Sequence, residues 1–183
     1  LIGTVDEAGA YTAVHEGAIY LHRGQSYEVV ELDLHDKRAR VVECDNTTYT
    51  QPRTDKDIRV LRVGDQRRVG RATLHIGEVE VTTQVLGYQL RDRFSRKILA
   101  NETLDLPEQR LVTHAFWYVV DDDVIDKVVD TGRDPRGTLH AAEHAAIAML
   151  PRFTICDRWD VGGVSTAHHV DTDGATVFVY DAH

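Results

Sequence analysis

Two histidines and a glutamate within five residues, His140-Ala-Ala-Glu143-His144, form the densest group of chemistry-bearing side chains in this 183-residue sequence. On a helix His140 and His144 stand about 40° apart, with Glu143 on the adjoining stripe. The spacing matches the H-x-x-E-H pattern of inverted zinc peptidases, in which two imidazoles hold Zn²⁺ and the carboxylate activates a water. Such a centre needs a third protein ligand. Asp157, Asp160, Asp171 and Asp181 follow in sequence, but none sits in a further recognisable motif. The alternative is a structural network, in which imidazoles and carboxylates hydrogen-bond to one another and to backbone. We read His140, Glu143, His144, Asp157 and Asp160 as that network. We expect no catalytic residue and no bound metal in the chain.

Other chemical signals are weaker. His168 and His169 are neighbours, and neighbours in an extended segment point to opposite sides. Gly162-Gly163 reads as a turn, because no lysine and no helix opening follow it as a phosphate loop requires. Ser165 lacks the G-x-S-x-G surroundings of a hydrolase nucleophile. Cys44 and Cys156 are isolated and read as free thiols.

The net charge of −9 hides an asymmetry. Residues 1–52 carry net −5, residues 53–97 net +5, and residues 98–183 net −9. The middle is a basic island, the electrostatic footprint expected of phosphate contact. Its candidates for nucleic-acid contact are Arg53, Arg59, Arg62, Arg67, Arg68, Arg71, Arg91, Arg93, Arg96 and Lys97. A solvated sheet face with interspersed charges has the same composition. The acidic flanks oppose long-range attraction to DNA, so binding by the chain alone should be weak.

These residues need elements to hold them. Residues 10–100 read mostly as β. Short runs such as Ala18–Leu21, Tyr27–Leu34, Ala39–Cys44 and Ile58–Val63 are separated by Arg23-Gly24, Asp36-Lys37, Asp45-Asn46 and Gly64-Asp65. Val79, Val81, Thr83 and Val85 alternate with period two. This pattern predicts a small barrel or curled antiparallel sheet. Leu111–Val120 reads as a buried strand, Asp121–Asp123 as the opening of a short helix, and residues 138–150 as a buried helix stopped by Pro151. The fold class is therefore α+β and mostly antiparallel. Pro107 suggests two domains, a mostly-β domain at 1–106 and an α+β portion at 107–183. No apolar run is long enough to span a membrane. The start has neither an initiator Met nor a signal peptide, which reads as a piece of a longer cytoplasmic chain.

Three segments in order carry a resemblance: Leu139–Ala145, Ile155–Ser165 (ICDRWDVGGVS) and Val177–Asp181 (VFVYD). Together with Glu16–Tyr27, Ile76–Tyr88, Leu104–Pro107 and the Trp117 strand, they resemble the C-terminal region of bacterial superfamily-two DNA helicases. These are the mitomycin-repair-factor and SftH helicases, which are related to the fungal Hrq-type enzymes. The resemblance implies a non-catalytic accessory region of an ATP-dependent 3′-to-5′ DNA helicase active in repair. It implies DNA and the helicase motor domains as partners, and a nucleoid-associated location. ATP and Mg²⁺ would belong to the parent protein, because no Walker A or DEAH-type motif is present here. A four-cysteine zinc cluster is implied after the Tyr180-Asp181 segment, beyond residue 183, so no cofactor is expected in this stretch. Two other functions stay open from the residues alone. One is a zinc-dependent hydrolase built on His140, Glu143 and His144; the other is a docking or oligomerisation module.

Overall fold

β-Branched and aromatic runs give strands where the sequence alternates, and aspartates cap the helices. In the computed structural model, residues 1–182 are described, apart from the Ala8 side chain. Helix α1 (Glu7–Ala13) is capped by the Asp6 side chain, which accepts from the Gly9 amide. Strands β1 (Ile19–His22), β2 (Gln25–Asp33) and β3 (Arg38–Cys44) form an antiparallel sheet in the order β1-β2-β3. Strands β4 (Thr48–Val69), β5 (Ala72–Asp92), β6 (Ile98–Thr103) and β7 (Gln109–Val120) follow. Then come helices α2 (Asp122–Asp130) and α3 (Pro135–Met149) and strands β8 (Val161–His169) and β9 (Gly174–Asp181). The second sheet has the order β4-β5-β7-β9-β8, and β6 pairs with β5. The fold is α+β and mostly antiparallel, with open sheets among the described residues.

Two sequence readings are corrected. The expected break at Gly64-Asp65 lies inside β4. A Cβ on Gly64 would stand 3.1 Å from the Ile76 carbonyl oxygen, so this glycine serves close strand approach. The chain turns instead at Gly70-Arg71, where Gly70 has φ +58°. Gly162 and Gly163, read as a turn, lie in β8 opposite Tyr180 and Val179.

The chain divides into two units that interleave in sequence. One comprises residues 1–55 and 83–109, the other residues 56–82 and 110–183. In the first, Val14, Ala18 and Val29 are buried, with Ala10, Tyr20 and Leu32 packed around them. His15 is fully buried, its Nδ1 2.9 Å from the Glu16 carbonyl and its ring 4.7 Å from that of Tyr88. Its Nε2 has no partner. Burial holds the His15 pKa below the ordinary value, because a charged imidazole would be desolvated there. A base with a lowered folded pKa binds fewer protons folded than unfolded. Its contribution to stability is therefore intact above the unfolded pKa, about 6.5, and is lost as pH falls below it. The denaturation midpoint should drop between about pH 7.5 and about pH 5.5, and less steeply in His15→Asn. Parallel pH profiles for both proteins would reject this role for His15.

In the second unit, Ile58, Val79, Val81, Ala115, Trp117, Phe178 and Tyr180 form the main core. Leu139, Ala175 and Val177 form a smaller core that joins α3 to the sheet.

Candidate functional site

Helix α3 begins three residues earlier than the sequence pattern predicts. Asp134 accepts from the Arg136 and Gly137 amides, and Pro135 occupies the first helical position. The helix packs on β8 and β9. Its buried residues are Leu139, Glu143 and Ile147, a single stripe at four-residue spacing. The helix expected to be buried is buried along this one stripe. His140, Ala141, His144, Ala145 and Ala148 are exposed. Alanine is small and an excellent helix former, so an alanine-rich face does not require burial.

Glu143 is the buried hub. Its carboxylate accepts from the Ser165 hydroxyl at 2.6 Å and lies 3.3 Å from His140 Nδ1. His140 Nε2 in turn faces His144 Nε2 at 3.1 Å. A Cβ on Gly163 would come within 2.6 Å of Glu143 Oε1, so β8 must present glycine where the carboxyl group lies. Burial, with the added effect of the Glu143 charge, raises the Tyr118 phenol above its usual pKa. The depression at this point holds about 430 Å³ and is also lined by Lys56, Ile147 and Val164.

Thus His140, Glu143 and His144 come together, and Ser165 and Gly163 join them without having been expected from the sequence. The only signal for them is the small-residue run Gly162-Gly163-Val164-Ser165. Asp157 and Asp160 engage each other. Asp157 N donates to Asp160 Oδ2 at 2.7 Å, within the capping box of a 3-10 turn at Arg158–Asp160. His169 is buried with Nε2 2.9 Å from the Ile58 carbonyl, while His168 is exposed. The two neighbours are separated as extended geometry requires.

The basic island is shared between the two units. Arg53, Arg91, Arg93, Arg96 and Lys97 belong to the first, and Arg59, Arg62, Arg67, Arg68 and Arg71 to the second. Several members are engaged. Arg62 pairs with Glu78 at 3.0 Å. Arg68 forks onto Asp121, and Arg71 reaches Asp121 and Asp123, at the start of α2. The Arg68 hydrogen bond is the main cause that holds the Asp121 carboxyl below its usual range. In the first unit Arg91 donates to Gln89 Oε1. Arg59 and Arg67 are exposed and in no ion pair among the described residues.

Comparison with known proteins then places the chain. Residues 142–183 match the model of the MrfA Zn-binding domain. The chain is 30% identical, over 99% of its length, to YprA, an uncharacterized ATP-dependent helicase of Bacillus subtilis (strain 168). It is 25% identical over 85% of its length to the ATP-dependent helicase HRQ1 of Saccharomyces cerevisiae. It spans 24% and 14% of those two proteins. A crystal structure of the DUF1998 helicase MrfA bound to DNA matches 96% of the chain with a TM-score of 0.71 at 29% identity, covering 23% of that structure's chain. A further MrfA crystal structure matches the whole chain with a TM-score of 0.60 at 27% identity, over 24% of its own chain. Among the described residues no helix is long and apolar enough to cross a membrane. The chain is therefore homologous to a region of the MrfA, YprA and Hrq1 helicases, with the MrfA Zn-binding domain match lying in its last segment.

Proposed function

We propose that this chain is the non-catalytic C-terminal accessory region of an ATP-dependent 3′-to-5′ DNA helicase, and that it guides the strand and positions the motor during DNA repair. The observation that carries this is the likeness, along 96% of the chain, to MrfA in its DNA-bound structure. Partners are then DNA and the motor domains, in a cytoplasmic, nucleoid-associated protein. ATP and Mg²⁺ are bound by the motor. The segments 1–106 and 107–183 serve as its mostly-β and α+β portions.

Phe153, Ile155 and Trp159, three large apolar side chains exposed within seven residues between α3 and β8, support motor docking, because exposed apolar surface marks interaction sites. Zinc comes with the domain to which residues 142–183 are similar. Cys156 is the one cysteine in that span, so the residues here do not fit a four-thiolate site. We place that zinc in the cysteine cluster that the resemblance puts beyond residue 183. The zinc-hydrolase alternative is less well supported: Glu143, which would have to activate water, is buried and bonded to Ser165 and His140.

Strand guidance makes the exposed arginines testable. The chain should bind single-stranded DNA in the range of about 10⁻⁴–10⁻⁶ M, weakening with salt. Arg68 is tied to Asp121, so Arg59→Glu with Arg67→Glu is the cleaner reversal. It should weaken binding and flatten the salt dependence by about one unit for each phosphate no longer neutralised. In the full helicase the same pair should lower DNA-stimulated ATPase more than basal ATPase. Equal affinity and equal salt slope in both proteins would reduce the island to a solvated face and leave docking as the role.

A further inference from the structure

We propose that His140 and His144 form a transition-metal site on the exposed face of α3, with Glu143 and Ser165 as its support. This inference does not depend on the helicase reading. The two Nε2 atoms face each other at 3.1 Å. Two nitrogens bound to one tetrahedral Zn²⁺, each about 2.0–2.1 Å from it, stand about 3.3 Å apart. The pair is thus spaced for one ion with little side-chain movement, on a rigid i,i+4 helical frame.

The second nitrogen of His140 strengthens the case. Its Nδ1 lies 3.3 Å from Glu143 Oε2, and Glu143 is fixed by the Ser165 hydroxyl at 2.6 Å. A ligating histidine commonly donates its other N–H to a carboxylate, which sets the tautomer and makes the metal-facing nitrogen more basic. Donation from Nδ1–H to Glu143 leaves the His140 Nε2 lone pair free beside His144 Nε2. Ligand atoms of His140, Glu143 and His144 all lie within 4.8 Å of one another, the one such group among the described residues. Glu143 is buried, whereas both imidazoles are exposed. The carboxylate therefore orients a ligand, and the ion's remaining positions open outward to water or to a donor on a partner. From the sequence, metal is not expected here for want of a third ligand near in the chain. The geometry supplies two converging nitrogens and a built support, a two-ligand chelate that binds an ion more weakly than a three-ligand centre. Imidazole ligands suit zinc, nickel and copper rather than magnesium or calcium.

The test is a Zn²⁺ titration of the purified chain by calorimetry, with thermal denaturation at matched zinc concentrations. One saturable site and a rise of the denaturation midpoint are expected, because an ion that binds the folded state alone stabilises it. Both effects should vanish in His144→Ala and in His140→Ala; these residues are exposed, so folding should survive. Ser165→Ala should weaken zinc binding about 10-fold, as loss of an outer-shell partner does. Cys156→Ser should bind as the parent does. Unaltered binding in both histidine variants, loss of the site in Cys156→Ser, or no saturable binding by the parent would each overturn the proposal.

Discussion

Trp117→Ala is expected to destabilise the unit formed by residues 56–82 and 110–183 by about 3–5 kcal/mol, the range for removing a buried aromatic. Trp117 is 1% exposed and packs among Ile58, Val79, Val81, Ala115, Phe178 and Tyr180. Its ring lies nearly parallel to that of His75, 7° apart with centroids at 5.4 Å, and 5.7 Å from that of Phe178. The backbone is fitted to it as well, since a Cβ on Gly77 would come within 3.0 Å of the indole. Neighbours drawn in from both strands and rings cannot collapse readily into the cavity, which puts the cost at the upper end. A chain of this size should lose about 6–20 °C of its thermal midpoint. Trp117→Phe keeps most of the volume and should lose much less. Near-ultraviolet circular dichroism should fall in the alanine variant, because the other tryptophan, Trp159, is 84% exposed and in a less ordered electronic environment. A midpoint within about 2 °C of the parent would show that this core is not what holds the unit together.

The burial of Trp117 is legible in the sequence alone, because a β-branched and aromatic run from Leu111 to Val120 has no stable place other than a core. The same logic finds β2 and β3, and the three aspartates at 121–123 mark the opening of α2. Elements shaped by close approach are not legible in this way. A glycine pair in a sequence is equally compatible with a turn and with a strand pressed against a bulky neighbour. Gly162 meets the Tyr180 ring and Gly163 meets Glu143, and only the folded neighbours distinguish the two cases. The α3 stripe is ambiguous for a related reason. Alanine tolerates either environment, so helical periodicity does not say which side faces water. Burial falls on Leu139, Glu143 and Ile147, leaving the histidines outside. The basic island has a third kind of ambiguity. Charge along a sequence does not report pairing, and Arg68 and Arg71 are tied to aspartates about 50 residues further on.

Glu143→Ala carries the second large effect, because the residue is central to the polar cluster and is 6% exposed. Removing its carboxylate leaves the Ser165 hydroxyl without its acceptor and His140 Nδ1 without its partner. Ser165 is half-buried and His140 exposed, so water partly replaces the lost acceptor; with the missing packing against Gly163 the cost should be about 1–2 kcal/mol. Ser165→Ala should cost less, since the carboxylate keeps His140. Gly163→Ala reaches the same carboxylate from the strand side: its new methyl would overlap Glu143 and should also destabilise, by about 1–3 kcal/mol. If both changes act by displacing one carboxylate, their effects should not add, because the double variant Glu143→Ala with Gly163→Ala has room for the methyl that the single variant lacks. Urea denaturation of the parent, the two single variants and the double variant measures this directly. A double variant more stable than the sum of the singles predicts places Gly163 as the glycine that makes room for Glu143. Strict additivity would separate them, and an unchanged midpoint in Glu143→Ala would mean that the carboxylate is there for something other than holding α3 to β8.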